Sequence, residues 1–182
     1  MTYSFRKETP VRTFKGYYSD YHQYKKYLAE DFHHRCGYTD CSDHWFGGCR
    51  TFQIDHFIPL SKNPAKKNDY KNCLIYCCSY VNRSKWDDES PYYLDPCDND
   101  YNEHFERNSD GYICGKTEHA KYMIDKLHLG LARYAIIWNL DRLEDRIDKL
   151  RMLEYKNPEL KCLLKDLLLL YYDYVRSLRL NQ

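Results

Sequence analysis

The chain has 182 residues, 43% of them hydrophobic and 30% charged, with a formal net charge of +1. That length suits one domain, or one domain with an appendage, and the apolar share suffices for a core. The balanced charge excludes a protein that coats nucleic acid indiscriminately; a nucleic-acid-binding protein of this composition must concentrate its positive charge locally or borrow affinity from a partner.

Residues 1 to 16 read as extended, punctuated by Pro10 and Gly16. Ser19 or Asp20 caps a helix predicted to run to about His34, with Tyr24, Tyr27, Leu28 and Phe32 on one side. Arg35-Cys36-Gly37-Tyr38-Thr39 follows as a tight turn. An apolar run from Arg50 to Phe57 ends in Asp55-His56, with Pro59 just beyond as a strand-ending residue. Its strand, Thr51 to Ile54, is expected to pair antiparallel with Leu74-Ile75-Tyr76. Asn72 precedes that second run, and Asn82-Arg83-Ser84-Lys85 follows it. Ser79 to about Asp87 reads as a short helix with Asn82 and Lys85 about one turn apart on one face.

From Asp88 to Gly115 the chain is rich in Pro, Asp, Asn and Gly, and reads as turns. Phe105 to Arg107 and Tyr112 to Cys114 are candidate arms of a hairpin across Asn108 to Gly111. Thr117 caps a helix carrying Ala120, Ile124 and Leu127. The next helix carries Ile136, Leu140, Leu143, Ile147 and Leu150, whose alternating steps of four and three make a coiled-coil-like seam. Asn157-Pro158 restarts a helix with Leu160, Leu164, Leu167, Tyr171, Tyr174 and Leu178 at the same alternation. Two such helices predict an antiparallel hairpin. Leu163, Leu168, Leu170 and Val175 fall off its seam, a surplus that must be buried on the core, a second copy or a partner.

No apolar run is long enough to span a bilayer, and Met1 to Glu8 lacks the apolar core of a signal peptide. The expectation is a cytoplasmic protein whose nine cysteines are thiols or metal ligands rather than disulfides. The twenty tyrosines read mainly as core and interface filling, with stacking on bases as the functional alternative.

Asp55, His56, Asn72, Asn82 and Lys85 in this order carry a chemistry. Phosphodiester hydrolysis needs an activated water, a cation against the phosphate charge and help for the leaving oxygen. A neutral imidazole is the usual base near pH 7. A carboxylate and an amide carbonyl are hard oxygen ligands suited to Mg²⁺ or Mn²⁺. Taken singly, an Asp-His pair is surface polarity and an Asn in a turn is turn chemistry.

The stretch from about Arg35 to Asp87 resembles the HNH, or ββα-metal, nuclease motif, in which two strands and a helix hold one divalent cation. The resemblance, which does not cover the C-terminal third, implies a small ββα-metal core at 36–90; together with the elements read above, the expectation is an α+β fold with an N-terminal extension and helix at 1–35, a turn-rich segment at 91–116 and a helical tail at 117–182 that ends in a helical hairpin. It assigns His56 as general base, Asp55 and Asn82 as metal ligands, Asn72 as a loop brace and Lys85 as a basic residue near the phosphate. Asn72 to Asn82 is one residue longer than the usual spacing. Many relatives of the motif also carry a four-cysteine structural zinc site; here Thr39 and Val81 stand in place of the second cysteine of each pair. A replacement zinc site on Cys36, Cys41 and Cys78, with His44, Cys49, Cys77 and Cys97 as further soft ligands, has no Cys-x-x-Cys pair and is not the favoured reading.

The implied function is a Mg²⁺- or Mn²⁺-dependent endonuclease acting on DNA. Two alternatives stand beside it: a catalytically silent binding module on the same scaffold, and an RNA-directed or toxin-like nuclease. The layout is similar to small stand-alone HNH proteins of bacterial anti-phage systems, of the Septu and retron-associated types, which act beside an ATPase; homing and restriction nucleases are the other settings. That likeness implies a defence effector, with residues 131–182 as its surface for a homodimer or an ATPase partner.

Overall fold

A computed structural model describes residues 1–154 and 157–180, apart from the side chains of Asn72, Glu154 and Pro158. The chain is a mixed α+β protein in two compact units, Met1–Ser109 with Ile113–Gly130, and Asp110–Tyr112 with the chain from Leu131 on.

In the first unit, strand β1 (Tyr3–Ser4) opens an extended N-terminal segment. Its buried Arg6 and Arg12 stitch that segment to the rest of the unit. Arg6 Nη2 donates to the Gly37 carbonyl at 2.7 Å. Arg12 Nη2 lies 2.9 and 2.8 Å from the two Asp95 oxygens, and its Nε donates to the Leu74 carbonyl at 2.8 Å. The Arg12 guanidinium, with this many acceptors, is satisfied rather than stranded.

The predicted helix over 19–34 is shorter than expected. A 3-10 turn at Tyr21–Tyr24, capped by Asp20, leads into α1 (Lys25–Asp31). Positive φ at His33 and His34 then ends it.

Strand β2 (Gln53–His56) pairs antiparallel with β3 (Leu74–Cys77), with Gln53 opposite Cys77 and His56 opposite Leu74. The ladder lies two residues later than the sequence predicts. The reason is local: Gly47 and Gly48 take φ of 96° and 82°, and Thr51 bonds back to the Gly48 carbonyl through both its N–H and its hydroxyl. Those residues are spent on a turn. β3 is buried at all four positions, which explains an apolar run without alternation. A helical turn, α2 (Tyr70–Cys73), leads into β3, and α3 (Ser79–Lys85) leaves it and packs on β2. The α1 helix packs on β3.

After the turn-rich segment, α4 (Tyr101–His104) runs into β4 (Phe105–Arg107), which pairs with β5 (Ile113–Gly115). This is the predicted hairpin, its second arm one residue later than Tyr112 to Cys114. β1 adds a third strand on the far side of β4, which the sequence did not signal. Helix α5 (Glu118–Lys126), capped by Thr117 through a bond to Ala120 N–H, packs on β5 and so belongs to this first unit rather than to the terminal hairpin.

In the second unit, α6 (Ala132–Glu154) packs on α7 (Lys161–Leu180). The Tyr171 hydroxyl donates to Glu144 at 2.7 Å, the pairing of an antiparallel hairpin. Ile136, Leu140, Leu143, Ile147 and Leu150 are buried, and so is Leu178 of α7. Leu163, Leu168 and Leu170 are exposed, as are Leu169, Tyr172 and Leu180. Gly111 (φ 92°) lies against α6, where a Cβ would meet the Ala135 carbonyl oxygen at 2.9 Å. Among the described residues no helix is long and apolar enough to cross a membrane.

The two faces of the hairpin predict different costs. Leu140→Ala removes a fully buried side chain and should destabilise by about 2–5 kcal/mol. Leu168→Ala, at a site 46% exposed, should change stability by less than about 0.5 kcal/mol. Urea unfolding of both variants checks the assignment, and equal losses would mean that the packed stripe is drawn wrongly.

Candidate active site

Successive side chains of a strand alternate between faces. Gln53 and Asp55 therefore share one face of β2, and Ile54 and His56 the other. Helix α3 covers the Asp55 face. There Lys85, with no exposed surface, donates its Nζ to Asp55 Oδ1 at 3.2 Å and to the His56 carbonyl at 2.8 Å. Tyr38 donates its hydroxyl to Asp55 Oδ2 at 2.6 Å. Burial pushes the Tyr38 pKa well up, and the Asp55 charge adds to it, so the phenol stays protonated and remains a donor. The Lys85 ammonium also lies 5.6 Å from the Tyr93 ring centroid, within cation–π range.

Lys85 is therefore placed differently from the sequence expectation. It has no exposed surface. It is the buried counter-ion of Asp55, because a lysine in a dry site must find a carboxylate or lose its charge.

Asn82 stands one turn earlier on α3, half-buried, and donates its Nδ2 to Gln53 Oε1 at 2.8 Å. That bond uses the amide nitrogen and turns the carbonyl oxygen, the atom a hard cation would bind, away from Gln53. Asp55 accepts one bond on each oxygen, and a carboxylate offers about four lone-pair sites. Asp55 and Asn82 carry hard oxygen atoms of the type that divalent cations of the Mg²⁺ class take. Among the described residues no three His, Cys, Asp or Glu side chains gather around a metal-sized space.

His56 sits on the opposite face, where β2 ends. Its Nε2 lies 2.9 Å from the Lys67 carbonyl oxygen, which has no proton to give, so Nε2 carries the hydrogen. In the neutral ring Nδ1 then keeps its lone pair and is the basic atom. The Tyr21 ring packs edge-on at 4.6 Å. Desolvation by burial lowers the His56 pKa from the ordinary imidazole value, against the opposing pull of the Lys67 carbonyl and of Asp55. The ring is thereby oriented, neutral near pH 7, and free at one nitrogen.

Asn72 lies in α2, with its side chain outside the described residues. Cys36 and Cys78 meet with their sulfurs 3.9 Å apart. Burial opposes a thiolate at Cys36, but hydrogen bonds from Cys78 and Thr39 outweigh it and lower the Cys36 pKa. Cys41 turns its sulfur to the Thr39 carbonyl at 3.8 Å. Among the described residues no cysteine forms a disulfide.

Three site residues were not singled out by the sequence. Gln53 was legible in principle, since it is two residues from Asp55 on the same strand. Tyr38 and the Lys67 carbonyl act across long sequence separations that leave no local pattern.

Removing one partner of the buried pair strands the other charge. Lys85→Met and Asp55→Asn should each destabilise by about 3–5 kcal/mol, and the double variant should be more stable than the sum of the two losses predicts. Additive losses in chemical denaturation would show that the two side chains do not interact. No protein-family model, curated protein or solved structure matches this chain, so the residues and their geometry carry the functional reading.

Proposed function

We propose that the chain is a metal-dependent endonuclease of the HNH type that hydrolyses DNA phosphodiester bonds. The observation that carries the reading is the fixed tautomer of His56: Nε2 is held by the Lys67 carbonyl at 2.9 Å, which leaves Nδ1 as the base. The antiparallel β2–β3 pair and α3 supply the ββα frame that the motif requires.

In this reading His56 Nδ1 takes a proton from the attacking water. Asp55 and Asn82 hold the cation, Mg²⁺ or Mn²⁺. When bound, a divalent cation supplies positive charge against the phosphate and the leaving oxygen. Lys85 positions Asp55 and pins the His56 backbone, so the two residues keep their separate faces. Tyr38 holds the second Asp55 oxygen. The exposed leucines of α7 suit an assembly surface, for a second copy or for a partner such as an ATPase in a bacterial defence setting.

Purified protein incubated with plasmid DNA should cut it with Mg²⁺ or Mn²⁺ and not with EDTA. His56→Ala should lose roughly a hundred- to ten-thousandfold in rate while its fold persists. Asn82→Ala should raise the metal concentration for half-maximal activity more than it lowers the rate at saturation. Because burial lowers the His56 pKa, the rate should fall with decreasing pH only at a pH below that at which an ordinary imidazole would lose its basic form. An intact plasmid under every metal condition would instead favour the silent binding module; RNA cleaved in preference to DNA would favour the RNA-directed reading. Truncation before Leu131 should leave a folded fragment that has lost association, and an unfolded fragment would make the tail part of the core.

A further inference from the structure

A cavity of about 510 Å³ opens in the first unit between the N-terminal segment and the stretch from Pro64 to Lys71. Its size falls within the range of small-molecule sites. Lys15, Lys67 and Lys71 line it, and all three are exposed. The one acid in its wall, Asp69, is already paired with Lys66 at 2.8 Å. In a chain of net charge +1, this is a local concentration of positive charge.

Phe14, Tyr17, Tyr24 and Tyr70 also line the wall. Phe14 stacks on Tyr18 with centroids 5.4 Å apart and planes at 16°, and it touches Tyr24 and Tyr70 at 5.5 and 5.4 Å. Tyr17 lines the cavity with 73% of its surface exposed, a large ring left in water. Exposed rings beside lysines are how proteins hold unpaired nucleotides: the ring stacks on the base and the lysines meet the phosphates.

A third observation concerns Asn68, also in the wall. Its Nδ2 donates to the Ser19 carbonyl at 3.0 Å, which fixes the amide orientation. Its Oδ1 is buried and has no hydrogen-bond partner. A buried acceptor left unmatched is unfavourable. It calls for a ligand that donates, as the N–H edge of a nucleobase does and a phosphodiester does not.

The cavity is also adjacent to the candidate base. Lys67 contributes to its wall, and the same residue's carbonyl accepts from His56 Nε2 at 2.9 Å.

We propose that this cavity is a nucleotide subsite that takes one unpaired nucleobase of the strand being cut, stacked on Tyr17, with Asn68 Oδ1 accepting from the base edge and Lys15, Lys67 and Lys71 meeting the neighbouring phosphates. The proposal rests on the nuclease reading for its substrate, while the cavity chemistry stands apart from cleavage.

The test measures binding without catalysis. The full-length His56→Ala protein in EDTA is titrated with a short single-stranded oligodeoxynucleotide carrying 2-aminopurine, whose emission falls on stacking. The expected result is saturable quenching and a preference for the single strand over its duplex. Tyr17→Ala in that background should weaken binding by roughly five- to a hundredfold, and Asn68→Ala and Lys71→Ala should each weaken it severalfold. Quenching and affinity unchanged in all three variants would overturn the subsite, even if wild-type protein cuts plasmid DNA. The predicted losses in a protein that never cuts would keep the subsite and remove the nuclease reading. A nucleoside monophosphate that binds where the oligonucleotide does not would overturn the strand as the source of the base.

Discussion

A carboxylate and an ammonium share a dry space between β2 and α3. Taking each ion out of water costs several kcal/mol, and the pair is tolerable only when its remaining bonding capacity is met. Asp55 meets it with Lys85 on one oxygen and Tyr38 on the other. Lys85 meets it with Asp55, the His56 carbonyl and the face of Tyr93. These bonds set how α3 seats on β2. They bring Asn82, one turn before Lys85, over Gln53, and they fix the backbone at His56 so that its ring leaves on the other face.

The legible parts of this molecule are those whose signal is periodic or local. The alternating steps of three and four in α6 and α7 follow from helix geometry, and every residue of the α6 seam is buried, although Tyr134, Ala135, Ile137 and Trp138 near the start of that helix are buried as well. The hairpin at Phe105–Arg107 and Ile113–Gly115 followed from turn chemistry between two short runs. The register of β2 was not legible from its apolar run, because the bonds of Thr51 to Gly48 withdraw two residues from the strand. β1 has two residues and no periodicity to read. The order Asp55, His56, Asn82 was visible, but not the role of Lys85. A lysine three residues after an asparagine on a polar turn reads as exposed, and only Tyr38, Asp55 and Tyr93, brought from other segments, make its burial tolerable.

The same pair bears on metal affinity. On the proposed reading Asp55 is the single charged protein ligand, yet its Oδ1 already holds an ammonium at 3.2 Å. Two cations near one carboxylate repel, so protein alone makes a weak site. Magnesium commonly binds through one or two carboxylates with substrate phosphates completing its shell. One carboxylate and one amide carbonyl fit that pattern. Metal and nucleic acid would then each strengthen the other's binding, since the phosphate brings the negative charge that Lys85 offsets at Asp55.

The connection between β2 and β3 gives the remaining link between chemistry and substrate. Long connections persist where they carry function. This one passes through a 3-10 turn at Pro64–Lys66 and then turns the Lys67 carbonyl to His56 Nε2. The next residue, Asn68, gives its backbone carbonyl to the Tyr24 hydroxyl and its side-chain amide to the Ser19 carbonyl. The segment that holds the imidazole tautomer is thus the segment that walls the aromatic and basic cavity. A strand that pulled on Lys67 or Asn68 would bear directly on the orientation of His56. Tyr24 and Tyr70, buried behind Phe14, brace that segment from within the unit, so the imidazole is held by packed rings rather than by a free loop.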